Sequence, residues 1–199
     1  FGEADNFGSL IRPQVGNVAD VLATLQARDM AGNLFLAETH QRVLRVLRMA
    51  EALSQRYAVV VANPPYMGGK GMNPRLSAWL KENYEPVKTD LFSAFVVRNL
   101  ELALPKGQLG FMTPFVWMFI SSYEKLRAIL IDQKTITSLI QLEYSGFDGA
   151  TVPICTFTVE NAHKPDFRGG YVRLSDFRGA DQQGPRALEI IQAARKVGK

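Results

Sequence analysis

The chain has 199 residues, 47% hydrophobic and 21% charged, a balance that fits one globular core with an appendage and excludes an intrinsically disordered chain. A formal charge of +4 and a pI near 9.3 suit a polyanionic partner without requiring one. The single cysteine, Cys155, excludes an internal disulfide, and no apolar run approaches the roughly 20 residues that span a bilayer. A reducing cytoplasm is the expected setting.

The opening Phe1-Gly-Glu-Ala-Asp-Asn-Phe-Gly8 reads as the interior of a longer protein, so the chain is expected to be a fragment. Val18, Val21, Leu22 and Leu25 have helical spacing. A second helix is expected from about Glu38 to Gln55, with Val43, Leu44, Leu47, Ala50 and Leu53 on one face and Arg42, Arg45 and Arg48 on the other. That basic stripe is either a phosphate-contacting face or, as is commoner, a solvated one. His40 is read as a helix-end residue, not a ligand. Residues 1–62 contain no Gly-rich loop.

The run Tyr57-Ala-Val-Val-Val-Ala62 predicts a strand buried on both faces in a parallel sheet. It ends in Asn63-Pro64-Pro65-Tyr66. A residue before proline is pushed out of the α region, and proline has fixed φ and no N–H, so this loop is stiff and rich in acceptors. The Asn63 side-chain carbonyl and the Pro64 backbone carbonyl are placed to accept from one NH2 group, and Tyr66 adds a flat apolar face with a polar tip. Open α/β sheets bind ligands beyond the carboxyl ends of their strands, where such a loop sits. A bare Pro-Pro after a strand is otherwise simply a turn.

The loop Met67-Gly-Gly-Lys-Gly-Met-Asn73 lacks the spacing of a triphosphate-binding loop. It reads as a mobile loop closing over a ligand, with Lys70 a candidate contact to a nucleic-acid backbone. Helices are expected over 74–84, capped by Asn73, and over 90–104, where Asp90 is either an N-cap or a residue of the site. A turn at 105–108 leads into a strand over 109–113. Ser121 or Ser122 caps a further helix, and strands follow over 136–142 and 152–159, with Cys155 inside the second. Strands alternating with helices predict βαβ units. Beyond Asn161, a linker, a short strand at 171–174, a break at 181–185 and a basic helix over 186–196 are expected.

The tetrapeptide, with the wider stretch through Asn73, Lys88-Thr-Asp-Leu-Phe92 and Ser121-Ser-Tyr-Glu-Lys125, resembles the amino-methyltransferases that carry an Asn/Asp-Pro-Pro-Tyr/Phe signature. It is most similar to adenine-N6 DNA methyltransferases of the large phage-defence (BREX or Pgl) type and to type IIG restriction-modification enzymes. The likeness runs from about Phe7 to about Glu160. It implies an α/β, Rossmann-like methyltransferase fold, mostly parallel with an antiparallel C-terminal hairpin closing the sheet edge. It also implies that residues 1–160 are an incomplete, C-terminal part of the catalytic domain and 161–199 a linker and the start of a following region.

The resemblance further implies S-adenosylmethionine as cofactor, double-stranded DNA as partner, and other phage-defence subunits as partners besides. It makes Asn63, Pro64, Pro65 and Tyr66 catalytic, and Tyr66 and Phe147 the two faces that sandwich the target base. It makes Asn63 and Asp90 cofactor-binding and Lys70 DNA-binding, with no metal. Phe147 is otherwise a hydrophobic staple at a hairpin. Since the same loop can activate any planar NH2, the alternatives are methylation of a protein glutamine or of RNA, or a non-catalytic DNA-binding module derived from such an enzyme. On its own the fragment is expected to be inactive.

Overall fold

The computed structural model describes residues 2–14, 16–28, 34–144 and 152–196. The chain divides into two compact units, residues 1–56 and 57–199.

The first unit is helical: α1 (Ala4–Phe7), α2 (Val18–Gln26) and α3 (Leu34–Ser54). Val18 and Leu22 of α2 meet Leu44, Leu47 and Ala50 of α3 in a small core, as the three- and four-residue spacing dictates. Because α3 begins at Leu34 rather than Glu38, His40 lies within the helix and not at its end. Its Nε2 is 2.7 Å from the Leu25 carbonyl oxygen near the C-terminal end of α2. Arg42, Arg45 and Arg48 are exposed, and Arg42 pairs with Glu38 at 2.7 Å.

The second unit is built on five strands: β1 (Tyr57–Ala62), β2 (Ala103–Pro114), β3 (Thr135–Gln141), β4 (Ile154–Glu160) and β5 (Gly170–Arg173). They lie in the order β1-β2-β4-β3-β5. β1 runs parallel to β2 and β3 parallel to β5, while β4 is antiparallel to both of its neighbours. All strands but β4 therefore point the same way, which is the mostly parallel sheet expected. The antiparallel β3–β4 pair is present too, but it does not close the edge: β4 is inserted between β2 and β3, and β5 lies outermost.

The helices are α4 (Pro74–Asn83), α5 (Leu91–Leu102), α6 (Glu124–Asp132) and α7 (Ala180–Lys196). Asn73 caps α4, accepting from the Leu76 amide at 2.8 Å, with Pro74 at the first helical position. α5 packs on β1 and β2, and α6 on β3. The sheet face beneath them is apolar, with Leu109, Phe111, Cys155, Phe157 and Val159 all buried.

Four further expectations are corrected. β1 is not buried on both faces: Val59 is 62% and Val61 77% exposed. No described residue pairs with its outer edge, and its outward face borders an open hollow of about 390 Å³ lined also by Gly110, Met112, Ser138 and Thr158. The turn at 105–108 is an excursion inside β2, since Tyr57 pairs with Ala103 and Val59 with Gln108. Lys106 takes a positive φ of 63° there. A Cβ on Gly107 would lie 2.8 Å from the Leu104 carbonyl oxygen, so only glycine fits. Neither Ser121 nor Ser122 caps α6 through its side chain; a short 3-10 turn, Ser121–Tyr123, precedes it instead. Finally, α7 runs straight through the predicted break at Pro185. Its first turns are held by Gln183, which accepts from the Glu143 amide at 3.0 Å and donates to the Phe177 carbonyl.

Candidate active site

β1 delivers the loop. Ala62, its last residue, pairs with Phe111 of β2, and the chain then leaves the carboxyl end of the sheet with Asn63 exposed, Pro64 buried, Pro65 exposed and Tyr66 half-buried. The Tyr66 hydroxyl is 2.9 Å from Asn63 Oδ1 and 3.2 Å from the carbonyl oxygen of Met112 on β2. One proton serves both acceptors, and the tyrosine ring is thereby fixed against the amide whose orientation matters. Burial raises the Tyr66 phenol above its ordinary pKa, with the nearby Cys155 adding to the effect, so the hydroxyl is a donor at neutral pH. The ring meets Phe92 edge-on, at 6.5 Å between centroids and 88° between planes.

Asp90 stands behind the loop. It is the N-cap of α5, with Oδ1 accepting from the Phe92 amide at 3.3 Å. The same oxygen accepts from the Met67 amide at 3.2 Å, and the Leu91 amide donates to the Met67 carbonyl at 3.0 Å. Asp90 thus caps a helix and ties that helix to the residue after Tyr66. Burial pushes its carboxyl above the usual carboxylate range, against the pull of the Phe92, Met67 and Leu91 amides and the Tyr123 hydroxyl. These donors engage Asp90 from its own chain.

Tyr123 had no role assigned from sequence, although it lies inside the Ser121–Lys125 stretch. It is 8% exposed, and burial first, then the Asp90 charge, push its pKa up to about 12. Its ring lies 5.5 Å from that of Phe92 at 32°. Only its buried aromatic character signalled it, because its partner is distant in sequence.

Lys70 is exposed on the turn after Gly68, and Gly68 bridges to Asp90. Phe147 lies outside the described residues. Cys155 is fully buried in β4, and burial pushes its thiol up to about 11, which makes it inert rather than nucleophilic. Among the described residues no group of His, Cys, Asp or Glu is arranged to hold a metal ion, and no helix is long and apolar enough to cross a membrane.

Residues 24–147, more than half of the chain, match the family described as the Eco57I restriction-modification methylase. The chain belongs to that family. It is 35% identical over 182 residues to the adenine-specific methyltransferase BrxX of Escherichia coli O9:H4 (strain HS), covering 88% of this chain and 15% of that protein. It is 29% identical over 201 residues to the adenine-specific methyltransferase PglX of Lacticaseibacillus casei (strain Zhang), covering 96% and 17%. The Eco57I-family chain described here therefore spans about one-sixth of the length of these relatives.

Among solved structures, the type I restriction-modification methyltransferase subunit from Streptococcus thermophilus aligns with a TM-score of 0.52 at 16% identity, over 73% of this chain and 33% of that one. A Listeria monocytogenes protein described as a class I S-adenosylmethionine-dependent methyltransferase aligns with a TM-score of 0.51 at 19% identity, over 69% and 43%. At such identities the likeness concerns the fold, which is that of the class I methyltransferases.

Proposed function

We propose that this chain is the amine-holding part of a DNA adenine-N6 methyltransferase of restriction-modification or phage defence, acting in the cytoplasm on double-stranded DNA with S-adenosylmethionine as methyl donor. The observation that carries the reading is the Asn63–Tyr66 loop at the carboxyl end of β1, with its side-chain and backbone carbonyls at the sheet's rim and its ring fixed beside them, in a chain of the Eco57I methylase family. An exocyclic adenine amine is a poor nucleophile because its lone pair is delocalised into the ring. Acceptors at Asn63 Oδ1 and the Pro64 carbonyl draw both N–H bonds out of the ring plane and raise the lone pair toward an incoming methyl group. Asn63 Oδ1 already accepts from Tyr66 and keeps a second lone pair for the amine.

Duplex DNA must release the base from its stack, at a cost of a few kcal/mol. Stacking on Tyr66 returns about 1–3 kcal/mol of that. Phe147 is proposed as the second face. In support, Ala62, Phe111, Phe157 and Leu139 stand in one row across β1, β2, β4 and β3. The chain leaves β3 at Gln141 and re-enters the sheet at Ile154. Both ends of the intervening segment therefore emerge at the same end of the sheet as Asn63, with β4 roughly 10 Å from β1 at the usual strand spacing. Lys70, exposed on the adjoining turn, is proposed to contact the DNA backbone. Association with other phage-defence subunits is part of the proposal on the names of the relatives.

S-adenosylmethionine supplies the electrophilic methyl group when bound. The residues here fit the acceptor side of that reaction. Residues 1–62 hold no Gly-rich loop of the kind that grips the cofactor. Taken alone, the 199-residue chain is accordingly expected to bind the cofactor weakly or not at all.

The test uses the full-length protein, S-adenosylmethionine with a labelled methyl group, and mass spectrometry of the digested DNA. Label at adenine N6 that disappears in Asn63→Ala, with the melting temperature unchanged, is the expected result. Full activity of Asn63→Ala, or label found on RNA or on glutamine instead, would overturn the proposal.

A further inference from the structure

Beyond β2 the chain makes a braced turn whose tip is an exposed ring. The Phe115 amide donates to the Pro153 carbonyl at 3.1 Å, and the Phe119 and Ile120 amides both return to the Val116 carbonyl, at 3.1 and 3.0 Å. Trp117, 3% exposed, packs its ring on Phe157 of β4 at 5.1 Å between centroids. Arg127 of α6 donates to the carbonyl oxygens of Trp117 at 2.6 Å and Ile120 at 2.7 Å, on either side of Met118 and Phe119. Hydrogen bonds from a charged donor hold such a turn firmly. What they hold outward is Phe119, 67% exposed and the most exposed aromatic ring among the described residues, with Ile120 46% exposed beside it. Phe115 meets that ring edge-on, at 5.9 Å and 88°.

The turn stands on the same rim as the Asn63–Tyr66 loop. Ala62 pairs with Phe111, so β2, which continues to Pro114, reaches about 10 Å past the end of β1 at ~3.3 Å per residue. Both features lie over one face of the sheet. Tyr66 meets Phe92 of α5 at 6.5 Å, and Phe92 meets Tyr123, in the turn that follows Phe119, at 5.5 Å. We propose that Phe119 is a wedge for base extrusion: its ring enters the DNA duplex and stacks on the bases left without a neighbour when the adenine swings into the Asn63–Tyr66 loop. This rests on the reading of that loop as the amine-holding site. Extruding a base sacrifices its pairing and stacking. An apolar side chain inserted at the step replaces the lost contact, and a flat ring does so on any base. The ring can part a base step only if the backbone behind it does not yield, and the anchors at Trp117 and Arg127 supply that resistance. Phe119 touches no reacting atom in this account, so it acts on extrusion and not on methyl transfer.

The experiment is single-turnover methylation by the full-length protein of two DNA duplexes that carry its methylation site. One is fully paired; in the other the target adenine is mismatched and so already unpaired. Wild type, Phe119→Ala, Phe119→Trp and Asn63→Ala are compared. Phe119→Ala is expected to slow methylation of the paired duplex at least about tenfold, ~1.4 kcal/mol. On the mismatched duplex it is expected to stay within about twofold of wild type, because extrusion there costs least. Activity on that duplex also shows that the variant is folded. Phe119→Trp keeps a flat ring and is expected to stay within about threefold of wild type on both. An unchanged rate of Phe119→Ala on the paired duplex would overturn the proposal. Equal losses on the two duplexes would overturn it as well, since a face for the extruded base or a packing contact of the fold is needed by both substrates. An active Asn63→Ala sinks the amine-holding reading itself, whereas an inactive Asn63→Ala beside a Phe119→Ala of wild-type rate sinks only the wedge.

Discussion

The Tyr66 hydroxyl donates to Asn63 Oδ1 at 2.9 Å, so the aromatic face and the amide acceptor of the loop are one unit rather than two neighbours. Separate removal of the hydroxyl and of the ring should therefore give separate losses. In the full-length protein Tyr66→Phe is expected to slow single-turnover methylation about fivefold, as for one hydrogen bond of ~1 kcal/mol. Tyr66→Ala should lose a further ~1–3 kcal/mol of stacking. Equal rates for the two variants would show that the ring contributes nothing.

The raised Asp90 carboxyl makes a prediction about stability against pH. A carboxyl whose pKa is higher in the folded chain binds its proton more tightly there. The associated stability is fully present below the unfolded pKa, about 3.9, and is lost as pH rises through the folded value. Asp90→Asn has no proton to lose. Its stability relative to the natural chain should therefore increase as pH is raised from about 3 through the acid range and then level off. Denaturant titrations of the 199-residue chain at a series of pH values measure this, and a difference flat across the range would remove the assignment.

Cys155, buried beside the Thr113 hydroxyl at 3.8 Å with its pKa pushed to about 11, should resist thiol reagents. At pH 8 roughly one molecule in a thousand would carry the thiolate, and that one is shielded. A chromogenic disulfide reagent is expected to label nothing in the native chain within an hour and one thiol per chain in denaturant. Prompt native labelling would mean that β4 opens readily.

Pro185 interrupts the hydrogen bonding of α7. Pro185→Ala restores the missing donor and should favour the helix by up to about 3 kcal/mol. Slower hydrogen exchange of amides throughout α7 is the expected readout; unchanged exchange would mean that Gln183, not helix propensity, sets its stability.

Much of the second unit was legible because local chemistry decided it. Asn73 and Pro74 announce α4, Asp90 announces α5, and the alternation around Cys155 announces β4. The misreadings share a cause. The run of valines in β1 records a strand suited to burial on both faces, yet no described residue covers Val59 and Val61. Pro185 reads as a break because its local cost is visible in sequence, whereas the hydrogen bonds of Gln183 to Glu143 and Phe177 are not. Of the candidate site, Asn63 and Tyr66 were legible from the rigidity of Pro64 and Pro65. The packing of Tyr123 on Phe92 was not, since long-range contacts leave no periodicity to read.

The outer edge of β1 ends at the same residue, Ala62, from which the loop departs. Any strand joining that edge would be located by main-chain pairing, in steps of two residues or about 6.8 Å. Whichever side chain it brought beside Asn63 would be chosen by register alone, and a slip of one residue would turn that side chain to the opposite face of the sheet. The spacing between the amine-holding loop and whatever stands next to it is thus set by the backbone, in discrete increments.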